Sequence, residues 1–217
     1  MDNIILIIAL IGDNRCGKDT FADIIKSNGN FKQYAFADTI KDVARIVFDF
    51  NEQQLYGNEK EVIDSEWGIS PRQFFQQFGT EIMQEDIYQY LPLLETKIPK
   101  KEFWVRKTIK NIKKDIQNGI NKFIISDVRF LHEAKCLTEF TRENTNIKLE
   151  VVSIKRPITI NEDISFADNN NCNNNHISRK SINQINDDFI KYDLLNDGSL
   201  EEYKEKCQNL IKKILDY

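Results

Sequence analysis

Residues Ile4 to Ile11 are apolar without a break and mostly β-branched. An unbroken run of this length predicts a strand buried on both faces, as in a parallel sheet, rather than the alternating pattern of a half-exposed strand. Shorter runs of the same character recur at about Gln33–Phe36, Lys122–Ser126, Lys148–Ile154 and Tyr192–Leu195. Stretches with helical spacing separate them, so the chain predicts an α/β fold with a five-stranded parallel sheet between two helical layers.

The helices are predicted from their ends. Asp19–Ser27 follows the first strand through a glycine loop, and Asp38 can cap a helix running through Phe50. Ser70 and Pro71 pair a good capping residue with one suited to the first helical turn. Glu102–Asn118 is amphipathic and stops at Gly119, and Ser199 caps a closing helix through Tyr217. Two regions break the alternation. Residues 51–118 are mostly helical and too long for a simple crossover, so they are expected to form a helical insertion within a single domain spanning 1–217. The core would then be 1–50 and 119–217. Residues 157–186 contain "NNNCNNN", a polar tract unable to bury a core, and are expected to form a lid with basic ends at Arg156 and Arg179–Lys180.

Composition narrows the classes. A formal net charge of −4 argues against nucleic-acid binding through bulk positive charge. The N-terminal apolar run is too short to span a bilayer and starts beside Asp2, so no membrane association is expected. Cys16, Cys136, Cys172 and Cys207 form no C-x-x-C pair, and His132 and His176 are the only histidines. That pattern suits reduced thiols in a cytoplasmic protein better than a disulfide framework or a zinc site.

The chemistry begins at "GDNRCGKDT", residues 12–20. Glycines at 12 and 17 followed by Lys18, between a buried strand and a helix, form a phosphate-binding loop: backbone N–H groups and Lys18 face the nucleotide phosphates. Gly12, Asp13, Asn14, Arg15, Cys16, Gly17, Lys18, Asp19 and Thr20 are therefore the expected ATP-binding set, with Cys16 a small filler. Asp19 stands where a hydroxyl usually helps to hold Mg²⁺. In "FIISDVRF", residues 123–130, an apolar strand ends in Asp127, the place of an acid that supports the metal, and Arg129 follows two residues on. The expected catalytic residues are Lys18, Arg15, Arg129 and Asp127, with Asp19 and Asp127 holding Mg²⁺.

In "GISPRQFFQQFGTEIMQ", residues 68–84, Arg72, Gln76, Gly79 and Met83 share one helical stripe, while Phe74, Phe78 and Ile82 share the other. Arg72 suits a phosphate, Gln76 a base edge, and Gly79 leaves room for a flat ring. Phe36, Asp38, Lys41, Thr80, Trp104 and Arg129 complete the expected acceptor-binding set. Asn196, Asp197 and Gly198, in the turn after the last strand, are expected to border the adenine of ATP, and Arg156, at the edge of the lid, to reach its phosphates.

The stretches "IGDNRCGKDTFAD", "FADTIK", "GISPRQFFQQFGTE", "SDVRFLHE" and "LLNDGSLEEY" together resemble the phage and giant-virus type of deoxynucleoside monophosphate kinase. The resemblance spans residues 8 to 203, and Gly-Lys-Asp-Thr is characteristic of it. It implies a P-loop kinase fold, Mg²⁺–ATP as donor, a deoxynucleoside monophosphate as acceptor, and a homodimer. Another small-molecule P-loop kinase, such as an animal-type phosphomevalonate kinase, and a non-catalytic nucleotide switch remain the alternative readings.

Overall fold

The computed structural model describes residues 4–13, 15–157, 185 and 189–216. These fall into two compact units, the first made of the described residues within 4–33 and 115–216, the second of residues 34–114.

The first unit is built on β1 (Ile5–Ile11), whose seven residues are all buried. Its neighbours explain why none of them is polar. Strand β3 (Lys122–Val128) pairs parallel on one side and β4 (Ile147–Lys155) parallel on the other, so β1 is central. With β2 (Lys32–Tyr34) and β5 (Tyr192–Leu195) at the edges, the order is β2-β3-β1-β4-β5, and β5 runs parallel to β4. Leu6, Ile8 and Leu10 pack with Phe21, Ala22 and Ile25 of α1 (Lys18–Ser27) and with the C-terminal helix, Leu200–Leu215. Ile5, Ile7, Ala9 and Ile11 point to the opposite face, and helix Leu131–Glu143 packs against β4. The arrangement is the α/β/α P-loop type, with the expected five-stranded sheet.

The second unit is mainly helical. It contains α2 (Asp38–Phe48), α3 (Glu52–Leu55), α4 (Pro71–Gln76), α5 (Ile87–Tyr90), α6 (Pro92–Glu95) and most of α7 (Phe103–Gln117). The helices Leu131–Glu143 and Leu200–Leu215 are then α8 and α9. This unit starts earlier than residue 51, because α2 packs into it. Phe48 and Phe50 meet Phe74, at ring separations of 4.7 and 6.4 Å.

Local capping follows the sequence closely. Ser70 Oγ accepts from Gln73 N (3.2 Å), and the Gln73 side chain accepts from Ser70 N (3.1 Å). Ser199 and Glu202 make the same reciprocal pair at the start of α9. Three expectations need correction. Strand β2 stops at Tyr34 rather than Phe36, because Asp38 Oδ2 accepts from Ala35 N at 2.7 Å and closes the turn there. Asp38 is therefore the first residue of α2 and not its cap, and α2 ends at Phe48 because Asp49 turns left-handed (φ 53°). Beyond Gln76 the chain continues as a π-helix, Gln77–Asp86, whose wider turn breaks the expected side-chain stripes.

Candidate active site

The loop between β1 and α1 is shaped by what cannot be there. A Cβ on Gly12 would lie 2.5 Å from the Ile154 carbonyl oxygen of β4, so the strand beside it admits only glycine. Gly17 is left-handed (φ 111°) and caps α1 with no side chain. The first backbone bond inside the helix runs from Phe21 N to Gly17 O (3.0 Å), so the N–H groups of Lys18, Asp19 and Thr20 have no intrahelical carbonyl. Those orphan donors and the helix dipole make this end of α1 electropositive.

A cavity of about 250 Å³ opens beside it. The expected residues Arg15, Gly17, Lys18, Asp19 and Thr20 line it from the loop, and Arg156, Asn196 and Gly198 from beyond β4 and β5. Arg15 is exposed and holds a left-handed conformation (φ 61°), which costs a side-chain-bearing residue roughly 1–2 kcal/mol. Lys18 is nearly buried. Its ammonium donates to Gly12 O (2.8 Å) and Asp13 O (2.5 Å) and lies 3.7 Å from Cys16 Sγ. Burial pushes the Cys16 thiol up, against the pull of Lys18, so it stays a neutral filler under the loop. Asp13 faces solvent and contributes its carbonyl. Asn14, Arg179 and Lys180 lie outside the described residues, as does nearly all of the expected lid.

Two cavity residues, Leu200 and Tyr203, were not foreseen. Tyr203 sits on the apolar stripe of α9 with Cys207, Ile211 and Ile214, all buried. A tyrosine on such a stripe needs a partner for its hydroxyl, and that need was the available signal. The partner is Gly17 O, at 3.0 Å. Asn196, expected beside adenine, lines the cavity, and its amide donates to Cys16 O at 3.0 Å. Asp197 follows it in the turn. Its carboxylate pairs with Lys206 (2.5 Å), which lowers its pKa, and it is not part of this cavity's wall.

Asp127 and Arg129 flank Val128, which is paired with Ile11 at the carboxyl end of β1. Strand register thus brings both to the edge from which the loop departs, although neither lines the cavity. Behind them lies buried Glu133, whose Oε2 accepts from Arg129 N (2.8 Å) and Phe130 N (2.9 Å). Burial pushes its carboxyl up to about 8, with nearby Asp127 adding to the rise and the two N–H donors opposing it.

In the helical unit, Arg72, Gln76 and Thr80 are exposed along α4 and its continuation. Arg72 Nε pairs with Glu61 Oε1 at 2.9 Å, both side chains largely in solvent. Lys41 lies 4.0 Å over the Tyr56 ring. Phe36 is buried. Gly79 does not leave room for a ring, since a Cβ there would meet Ile40 Cδ1 at 2.7 Å. Trp104 is buried and its indole N–H donates to Gly79 O (2.6 Å), so its one polar group is committed to packing. Ile82, expected in the core with Phe74 and Phe78, is 42% exposed.

A strand, glycine loop and helix in the central position of this sheet define a P-loop kinase type of fold. Comparison with known proteins specifies it. The family model for deoxynucleotide monophosphate kinase matches residues 6–66. A protein of Acanthamoeba polyphaga mimivirus, provisionally named a deoxynucleotide monophosphate kinase, is 30% identical over 139 residues, 62% of this chain and 69% of the relative. The chain belongs to the deoxynucleotide monophosphate kinase family, a family of phosphotransferases. Among solved structures, dephospho-CoA kinase from Campylobacter jejuni aligns over 96% of each chain at 12% identity, with a TM-score of 0.47. TT1252 from Thermus thermophilus aligns over 98% of this chain and 97% of its own, at 14% identity and a TM-score of 0.43.

Proposed function

We propose that this protein transfers the γ-phosphoryl group of ATP to the 5′-phosphate of a deoxynucleoside monophosphate, giving a diphosphate. The observation that carries the reading is the cavity at the start of α1, where orphan N–H groups meet Lys18, Arg15 and Arg156. Such a site offsets several negative charges at once, which is most of what phosphoryl transfer asks of a protein. In this reading an acceptor phosphate oxygen attacks the γ-phosphorus as its bond to the bridging oxygen breaks, and ADP leaves. Lys18 and the loop N–H groups bear on the β- and γ-phosphates, and Arg129 stabilises the charge between donor and acceptor.

The donor set fits Mg²⁺. Asp19 presents an exposed carboxylate and Thr20 a hydroxyl on the cavity wall, both hard oxygen ligands, and Asp127 waits at the neighbouring strand end. Bound there, the ion would neutralise charge on the phosphate oxygens. In the helical unit, Arg72 would take the acceptor phosphate and Gln76 its base, with Asp38, Lys41 and Thr80 alongside. A homodimer belongs to the same proposal, with sedimentation velocity as its test.

The deciding experiment is coupled ADP release from Mg²⁺–ATP with each of the four deoxynucleoside monophosphates, their ribose forms and phosphomevalonate. Release that depends on a deoxynucleotide is the expected result. Release driven by phosphomevalonate, or by no acceptor, would overturn the reading.

A further inference from the structure

We infer that Tyr203 and Asn196 are positioning residues of the phosphate-binding loop, holding two consecutive peptide units so that their N–H groups face the cavity. This rests on reading the loop as the donor-phosphate site.

A trans peptide is planar, and its carbonyl and the following N–H point in opposite directions. Fixing the Cys16 carbonyl therefore fixes the direction of the Gly17 N–H, and fixing the Gly17 carbonyl does the same for the Lys18 N–H. Asn196 Nδ2 binds the first carbonyl and Tyr203 Oη the second, each at 3.0 Å. The contact is close as well as polar. A Cβ on Gly17 would fall 2.8 Å from the Tyr203 ring edge and hydroxyl, and 2.9 Å from the Asn196 amide nitrogen.

Both holders are themselves fixed. Asn196 N donates to Lys155 O at 2.8 Å, tying the turn to the end of β4. Tyr203 is 1% exposed within the cluster of Ile8, Leu10, Phe21 and Cys207, one turn into a helix closed by the Ser199–Glu202 box. Burial raises the Tyr203 phenol far above its ordinary value, so it remains a hydrogen donor at any working pH.

Lys18 holds the earlier part of the loop through Gly12 O and Asp13 O, but the same ammonium is needed by the nucleotide phosphates. Asn196 and Tyr203 hold the later part from outside the loop. They keep the Cys16–Gly17–Lys18 backbone aimed while Lys18 changes partners. Preorganised donors of this kind strengthen phosphate binding because no ordering remains to be done when the ligand arrives.

The test is isothermal titration of ATP into wild type, Tyr203→Phe and Asn196→Ala, with thermal melts of the free proteins and steady-state kinetics. Tyr203→Phe keeps the ring in the core, and Asn196→Ala alters a half-buried turn, so one or both will fold. Each folded variant is expected to lose about tenfold in ATP affinity, the equivalent of one hydrogen bond, with KM for ATP raised and KM for the acceptor unchanged. A merely structural role would lower the melting temperature and leave ATP affinity at the wild-type value. Wild-type affinity in the folded variants would overturn the assignment, as would a wild-type chain that binds no ATP. If wild type binds ATP and both variants weaken it, while no deoxynucleotide is phosphorylated, the positioning assignment stands and the acceptor reading alone falls.

Discussion

Asp19 shows how far a single residue carries the chemistry. In the first turn of α1 a carboxylate is worth about 0.3–1 kcal/mol against the helix dipole, which would be reason enough for its presence. Its place on the cavity wall gives it a second use, as a hard oxygen ligand beside the phosphates. The two roles separate in Asp19→Asn, which keeps size and polarity but loses charge. The expected variant folds normally, needs more Mg²⁺ for half-maximal turnover and has a lower kcat. Unchanged Mg²⁺ dependence with a slightly lower melting temperature would leave Asp19 only its helix-start role. The loop itself was legible in the sequence, because its glycines, lysine and flanking elements are contiguous. Tyr203 was not, because its partner Gly17 lies 186 residues away and only the folded sheet brings them together.

At the scale of elements, caps were legible and the π-helix was not. Ser70 and Ser199 act on N–H groups three residues on, so the sequence window contains the whole interaction. The stripes drawn through residues 72–83 assumed one constant helical turn, which fails where the π-helix starts at Gln77. Trp104 shows what supports that stretch, since its indole N–H satisfies the Gly79 carbonyl inside it. Trp104→Phe should remove one buried hydrogen bond and lower unfolding free energy by about 0.5–1.5 kcal/mol, measured by urea denaturation. A variant as stable as wild type would show that water replaces the indole. Arg72 should behave in the opposite way. Its pair with Glu61 is solvent-exposed and contributes at most about 1 kcal/mol to stability. Arg72→Ala is therefore expected to melt near the wild-type temperature while raising the acceptor KM. An unchanged acceptor KM would remove Arg72 from the acceptor site.

For the whole molecule, global stability carries the signature of one buried acid. Glu133 braces the backbone of Arg129 and Phe130 from inside the first unit, and its carboxyl titrates at about 8 when folded against an ordinary value of 4.5. Between those two values the folded chain keeps a proton that the unfolded chain has released. The folded state thus binds more protons, and stability must fall as pH rises through this window. Below about 4.5 the contribution is fully present, and above about 8 it is gone. Each pH unit crossed is worth at most about 1.4 kcal/mol. Glu133→Gln cannot ionise, yet its amide oxygen can still accept from both N–H groups. In thermal melts from pH 5 to 8, the variant should gain on wild type steadily as pH rises. A melting-temperature difference that stays constant across this range would mean that Glu133 ionises as readily inside the fold as outside it.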